Sequence, residues 1–173
     1  MAHSFIIHGA IHQGAAANAH AHVVMHTHAA DVVAVSADKR GLMPISQTAL
    51  LVGEVSYHEF EGVAFSPSER ARLLRDMRPA SRVMMLRNHG ILVHGPTLHQ
   101  AFTTLFVAHK ACEAQVRVQA SGADINPVDP AVVVAMHNAA AKLGGPAPED
   151  YCRAVVAHSK RQLVRAGLGG WDV

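Results

Sequence analysis

The order of elements along this chain predicts an α/β fold, a three-layer α/β/α sandwich on a mixed central sheet. Three observations carry that reading. Short apolar runs of strand character alternate with longer segments of helical period. Two of the runs, in "RVMMLRNHGILVHGP", are split only by a turn, so antiparallel pairing joins the crossover connections. Half of the 173 residues are apolar, enough for one sizeable core, and residues 1–173 are expected to form a single domain.

Each element follows in turn. "SFIIHGAIHQGAAANA" is mixed and Ala-rich and reads as a helix. "HAHVVMHTH" alternates and is β-branched at Val23 and Val24, so it reads as a strand with an HxH pair at its end. "AADVVAVSADKRG" is a helix closing on Gly41, and "LMPISQTALLVGEVSYHEFEGVAF" holds a short helix followed by one or two short strands. In "SPSERARLLRDMRP", Ser66 is placed to cap, Pro67 takes the first helical position, Glu69 completes a capping box and Pro79 stops the helix. "RVMMLRNHGILVHGP" breaks at Asn88, His89 and Gly90 into two strands or one bent strand. Thr97 and Gln100 form a second capping box. Behind it Phe102, Leu105, His109, Cys112 and Val116 recur at helical spacing up to Ser121 and Gly122, and mark the face expected to be buried. Asp129 and Pro130 open another helix that ends at Gly144, Gly145 and Pro146, and "PEDYCRAVVAHSKRQLVRAG" is the last. No internal repeat or linker interrupts the series.

Composition removes several function classes. Fifteen Lys and Arg face thirteen Asp and Glu, scattered singly, so neither nucleic acid nor a membrane surface is an expected partner. Apolar stretches fall far short of a bilayer span, and the start "MAHSFIIHGAIHQG" has no basic leader region. Cys112 and Cys152 lack a CxxC partner, which suits a reduced cytoplasmic compartment and a packing role in the core.

Fourteen histidines are the chain's chemical peculiarity. Random placement of that many yields about one HxH pair, and His20 with His22 is a second one, so the motif alone decides nothing. Position separates His26 and His28 from the rest: side chains two apart on a strand face the same way, as two imidazoles sharing one ion must. The third candidate is His89, at a strand-turn junction where a tight turn lets the ring project. Three neutral imidazoles leave one coordination position open, as in catalytic zinc sites. His3, His12, His99, His109, His137 and His158 are expected to be packed or solvated.

The segments "VVMHTHAADVVAVSA", "GLMPISQTALLVGEVSYHEFEGVAF", "RVMMLRNHGILVHGPTLHQAF" and "ACEAQVRVQASG" stand in an order that resembles the class II aldolase/adducin family, from about Phe5 to Gly122. Gly41, Leu42, Pro44, Ile45 and Ser46 with "GEVSYH" are more similar to its adducin-type branch than to the sugar-phosphate aldolases. In that family an HxH at a strand end and a later QHG or NHG supply three zinc-binding histidines. The resemblance therefore implies His26, His28 and His89 as ligands of Zn²⁺ or another divalent metal. It implies a lyase-type enzyme acting on a small hydroxycarbonyl or sugar-derived compound through an enediolate, within a homo-oligomer that is commonly a tetramer. It equally implies an alternative, a non-catalytic adducin-like binding or assembly domain.

The chain also departs from the family's pattern. The aldolases carry an acid/base glutamate a few residues before the segment matching "IIHGAIH", where this chain has Ala2, His3, Ser4 and Phe5. Their phosphate-binding Gly/Ser loops and opening strands lie further upstream, so a chain starting at Met1 is expected to lack the family's N-terminal segment and to need an oligomer to cover a strand edge. A second proton donor found as tyrosine in some members falls near Gln47, with Tyr57 ten residues on. Replacement bases are sought in His8, His12 and Glu54, and sugar-phosphate cleavage is expected to be weak.

Overall fold

The computed structural model describes residues 2–14, 21–62, 67–143 and 145–169. In chain order these form α1 (Ala2–Gly14), β1 (Val23–Thr27), α2 (Ala30–Ala37), α3 (Gln47–Leu51), β2 (Val55–His58), α4 (Pro67–Asp76), β3 (Val83–Leu86), β4 (Gly90–Gly95), α5 (Leu98–Ala120), α6 (Pro130–Leu143) and α7 (Glu149–Arg165). The sheet runs β1-β4-β3-β2. β2 and β3 are parallel, while β4 is antiparallel to both its neighbours, so the sheet is mixed as expected.

Alternation along the two central strands builds the three layers. Val83 and Met85 of β3 and Ile91 and Val93 of β4 point into one core, completed by Val32 and Val35 of α2, Ala49 of α3 and Ala108, Ala111 and Cys112 of α5. Met84, Leu86 and Leu92 point the other way, onto Ile7, Ala10 and Ile11 of α1 and Leu73 of α4. β3 and β4 are buried on both faces, which is why their sequences are continuous apolar runs rather than alternating ones. α6 packs on α3, and α7 packs on α5.

Local signals mostly hold. Thr97 accepts the Gln100 N–H at 3.1 Å, and Asp129 accepts the Ala131 N–H at 2.7 Å, so both helix starts are capped; the reciprocal half of the expected Thr97–Gln100 box does not form, because Gln100 Oε1 has no hydrogen-bond partner among the described residues. α4 starts at Pro67; the Ser66 cap, like His20 of the other HxH pair, lies outside the described residues. Both cysteines are buried, and burial pushes the Cys112 thiol up to about 12.

The buried face of α5 differs from expectation. Ala101, Thr104, Ala108, Ala111, Cys112 and Gln115 form the inner stripe, whereas Phe102, Leu105, His109 and Val116 are only half-buried. Close approach is the physical reason: at the start of the helix a Cβ on Gly95 would lie 3.0 Å from the Ala101 nitrogen, a gap that admits only small residues. Gln115 satisfies its polar atoms in the core by accepting the Met43 N–H at 2.8 Å and donating to the Gly41 carbonyl at 2.9 Å.

Candidate metal centre

His26, His28 and His89 meet at one end of the sheet. Strand parity puts His26 on the face of β1 that looks toward α1 and α4, and His28, just past the strand end, follows on the same side. β4 lies beside β1 with Thr27 opposite Ile91, so the residue that precedes β4 arrives next to the end of β1. That residue is His89. It is carried there by a three-residue hairpin turn in which Asn88 adopts φ +56°, a left-handed conformation that asparagine tolerates, and the His89 N–H donates to the Leu86 carbonyl at 3.1 Å. Gly90 then leaves room: a Cβ there would collide with the Thr27 carbonyl oxygen and come within 3.1 Å of the His28 ring.

One ligand nitrogen from each of the three rings lies within 4.8 Å of the other two, and the ring centroids are 4.5, 4.7 and 5.0 Å apart. His26 Nδ1–H donates to the Ile91 carbonyl at 2.8 Å; since a carbonyl only accepts, the proton is on Nδ1 and the Nε2 lone pair faces the cluster. Burial, above all, lowers the His26 pKa to about 4, with the two neighbouring imidazoles adding to the effect, so the ring is neutral at physiological pH. His26 Nε2 and His28 Nε2 are 2.6 Å apart, closer than two lone pairs stand without a proton or a cation between them. An all-imidazole donor set with a backbone-anchored ring suits zinc and other borderline divalent ions.

The triad opens into a cavity of about 450 Å³ whose wall includes His58, Glu69, Arg87 and Phe60. His58 is buried at the end of β2, and its Nδ1–H donates to Asp76 Oδ2 at 2.8 Å. The carboxylate fixes the proton on Nδ1, and His58 Nε2 has no hydrogen-bond partner among the described residues. Glu69 is buried too, with Oε2 likewise unpartnered among the described residues. Arg87 donates to the Asp38 carbonyl at 2.7 Å and lies 4.3 Å over the Tyr57 ring, which ties the hairpin to the loop after α2. Sequence reasoning missed His58, Asp76 and Glu69 as site residues. The available signal for His58 was its place in "GEVSYH", a stretch weighed as a branch marker and for Glu54 and Tyr57, while Glu69 was read as part of a capping box.

The remaining candidates scatter. His8 is half-buried on α1, its pKa lowered by burial and by His12, and it adds to the lowering at His26. His12 is bonded to the Ala21 carbonyl at 3.0 Å. Glu54 pairs with Arg78 at 2.7 Å beside a different cavity, and so does not face the triad. Tyr57 accepts the Leu42 N–H at 3.1 Å, again away from the triad, and Gln47 is exposed at the start of α3. His99 pairs with Glu149 and His158 contacts Gln162. His109 stands with Asp31 and Glu113 in a second group of three possible ligands, whose Glu113 is already held by Lys110 at 2.8 Å. The side chains of residues 2–6, including His3 and Ser4, lie outside the described residues.

The profile of the class II aldolase and adducin N-terminal domain matches residues 2–116. The chain belongs to the class II aldolase and adducin family. It is 41% identical over 122 residues to the "Putative aldolase class 2 protein PA3430" of Pseudomonas aeruginosa, covering 70% of this chain and 46% of that protein. It is 39% identical over 103 residues to human gamma-adducin, covering 60% of this chain and 15% of that protein. The chain thus spans about half the length of the bacterial relative and a smaller share of the adducin. Among solved structures, an aldolase II superfamily protein from Pseudomonas syringae superposes with a TM-score of 0.80 at 35% identity, over 91% of this chain and 62% of that one. L-fuculose 1-phosphate aldolase from Glaciozyma antarctica shares the fold at a TM-score of 0.68 and 20% identity, over 92% of this chain and 59% of that one.

Proposed function

We propose that this family member is a metal-dependent, lyase-type enzyme acting on a small hydroxycarbonyl or sugar-derived compound, with His26, His28 and His89 holding one divalent cation, zinc foremost. The observation that carries the reading is the convergence of three imidazole nitrogens within 4.8 Å, one of them anchored through its far side to a backbone carbonyl. When bound, the ion supplies Lewis acidity toward neighbouring carbonyl and hydroxyl oxygens of a substrate. The protein's part is proton transfer and enclosure. His58, oriented by Asp76, presents Nε2 as the proton acceptor, the role left vacant by the family glutamate, and Glu69 lines the same cavity. The enzyme is a cytoplasmic homo-oligomer in this reading. Among the described residues no helix is long and apolar enough to cross a membrane.

The test has two parts. Elemental analysis after dialysis should give about one zinc per chain in the wild type and none in the triple variant His26→Ala, His28→Ala, His89→Ala. Solvent-deuterium exchange into small hydroxyketones, followed by NMR, should then require the metal and fall about a hundredfold or more in His58→Ala. Metal content that survives the triple substitution refutes the ligand set. Bound metal without any exchange favours the non-catalytic adducin-like reading.

A further inference from the structure

At the other end of β2 and β3 lies a second cavity, of about 380 Å³, that the metal centre does not use. The strand register separates the two: the triad's cavity is walled by His58 and Leu86, the second by Val55 and the Arg82 that precedes β3. Three residue steps of buried strand, roughly 10 Å, stand between. The family profile ends at residue 116, and part of this cavity's wall comes from α6, beyond that limit.

Its charged and titratable lining is Glu54, Arg78, Arg82, Tyr57 and His137, with Asn138 beside them. Glu54 and Arg78 neutralise each other at 2.7 Å. The Tyr57 hydroxyl is engaged by the Leu42 N–H. Arg82 is different: it is half-buried, burial lowers its pKa, and no carboxylate among the described residues is near enough to raise it. Its Nη1 is buried without a hydrogen-bond partner among the described residues. A guanidinium placed in a wall with donors unmet attracts an acceptor, and a planar fork of donors matches two oxygens of one carboxylate or phosphate. The Arg82 carbonyl accepts the His94 N–H at 3.0 Å, so the side chain is presented from a hydrogen-bonded strand start.

We propose that this cavity is a second ligand site that binds a small anionic compound bearing a carboxylate or phosphate group, anchored by Arg82, with His137 and Asn138 of α6 reading the rest of the molecule. The net charge of the lining excludes a cation once Glu54 is paired. The volume is at the small end of the range for small-molecule sites, which fits a small compound rather than a polymer.

Calorimetric titration of the full chain with inorganic phosphate and, separately, with malonate, at ionic strength matched with chloride, tests this. At least one anion should bind the wild type, and which of the two binds identifies the headgroup. Binding should weaken about tenfold or more in Arg82→Met and stay within about twofold in the triple histidine variant. Should Arg82→Met fail to fold, Ala141→Glu serves instead: Ala141 is exposed on α6 and lines the cavity, and a carboxylate there should occupy Arg82 and block either anion equally. Absence of binding by both anions overturns the proposal. So does equal binding by every variant, or loss confined to the triple histidine variant.

Discussion

Gly90→Ala is the sharpest probe of how the fold builds the triad. A Cβ on Gly90 would collide with the backbone carbonyl of Thr27, with the His28 ring 3.1 Å away, and a main-chain atom cannot rotate aside as a side chain would. The end of β1 must then move off β4. Overpacking of this kind costs about 1–3 kcal/mol, and the strained Thr27–Ile91 end of the ladder adds about 1 kcal/mol. A total of about 3 kcal/mol lies below the stability of an ordinary domain, so the variant should remain folded. The displaced segment carries His28 and adjoins the bond from His26 Nδ1 to the Ile91 carbonyl, which holds the ring at 2.8 Å. Loss of such supporting contacts weakens metal affinity about 10–100-fold. Thermal melts followed by circular dichroism, with zinc titrated against a competing chelator, measure both effects on one sample. A lowered melting temperature with unchanged zinc affinity would refute the reasoning, because it would show that the strand pairing does not position the ligands.

Three further outcomes are expected. Gly9→Ala, in the middle of α1 with nothing among the described residues within 4 Å of its new Cβ beyond its own helix, should stabilise the chain by about 0.5–1 kcal/mol in urea denaturation. Gln115→Leu strands the Met43 N–H and the Gly41 carbonyl in the core and should cost about 3 kcal/mol by the same measurement, although leucine is the more apolar residue. Acidification should destabilise the metal-free protein through His26. The unfolded ring takes up its proton near the ordinary 6.5 and the folded ring only near 4, so stability is flat above 6.5 and falls as pH drops between the two values. After discounting for the ring's partial exposure the loss is about 2 kcal/mol, and it should be missing from His26→Asn. Parallel losses in wild type and variant between pH 7 and 4.5 would dismiss His26 as the source.

Local patterning makes much of the molecule legible in the sequence alone. Apolar runs identified β3 and β4, Thr97 and Asp129 announced helix starts, and Pro67 opened α4. These signals are local because capping and pleating act within a few residues of the chain. The shared orientation of the HxH pair was readable for the same reason, since residues two apart at a strand's end carry their own geometry. Other features needed the tertiary structure. The inner face of α5 is set by how closely Gly95 and Ala101 let helix and sheet approach, a distance that hydrophobic periodicity does not encode. Its expected stripe, led by Phe102, therefore turned half outward. Arrival of His89 beside His26 depends on β4 pairing antiparallel with β1 across 65 residues of sequence, as the His26–Ile91 bond records. The pairing of His58 with Asp76, and the cavity that Arg82 shares with α6, likewise join elements distant in sequence. Residue types and short-range spacing determined which groups this chain can offer to chemistry. Strand order and packing decided which of them meet, because charge, hydrogen bonding and metal ligation act through space over a few ångströms, whatever the separation along the chain.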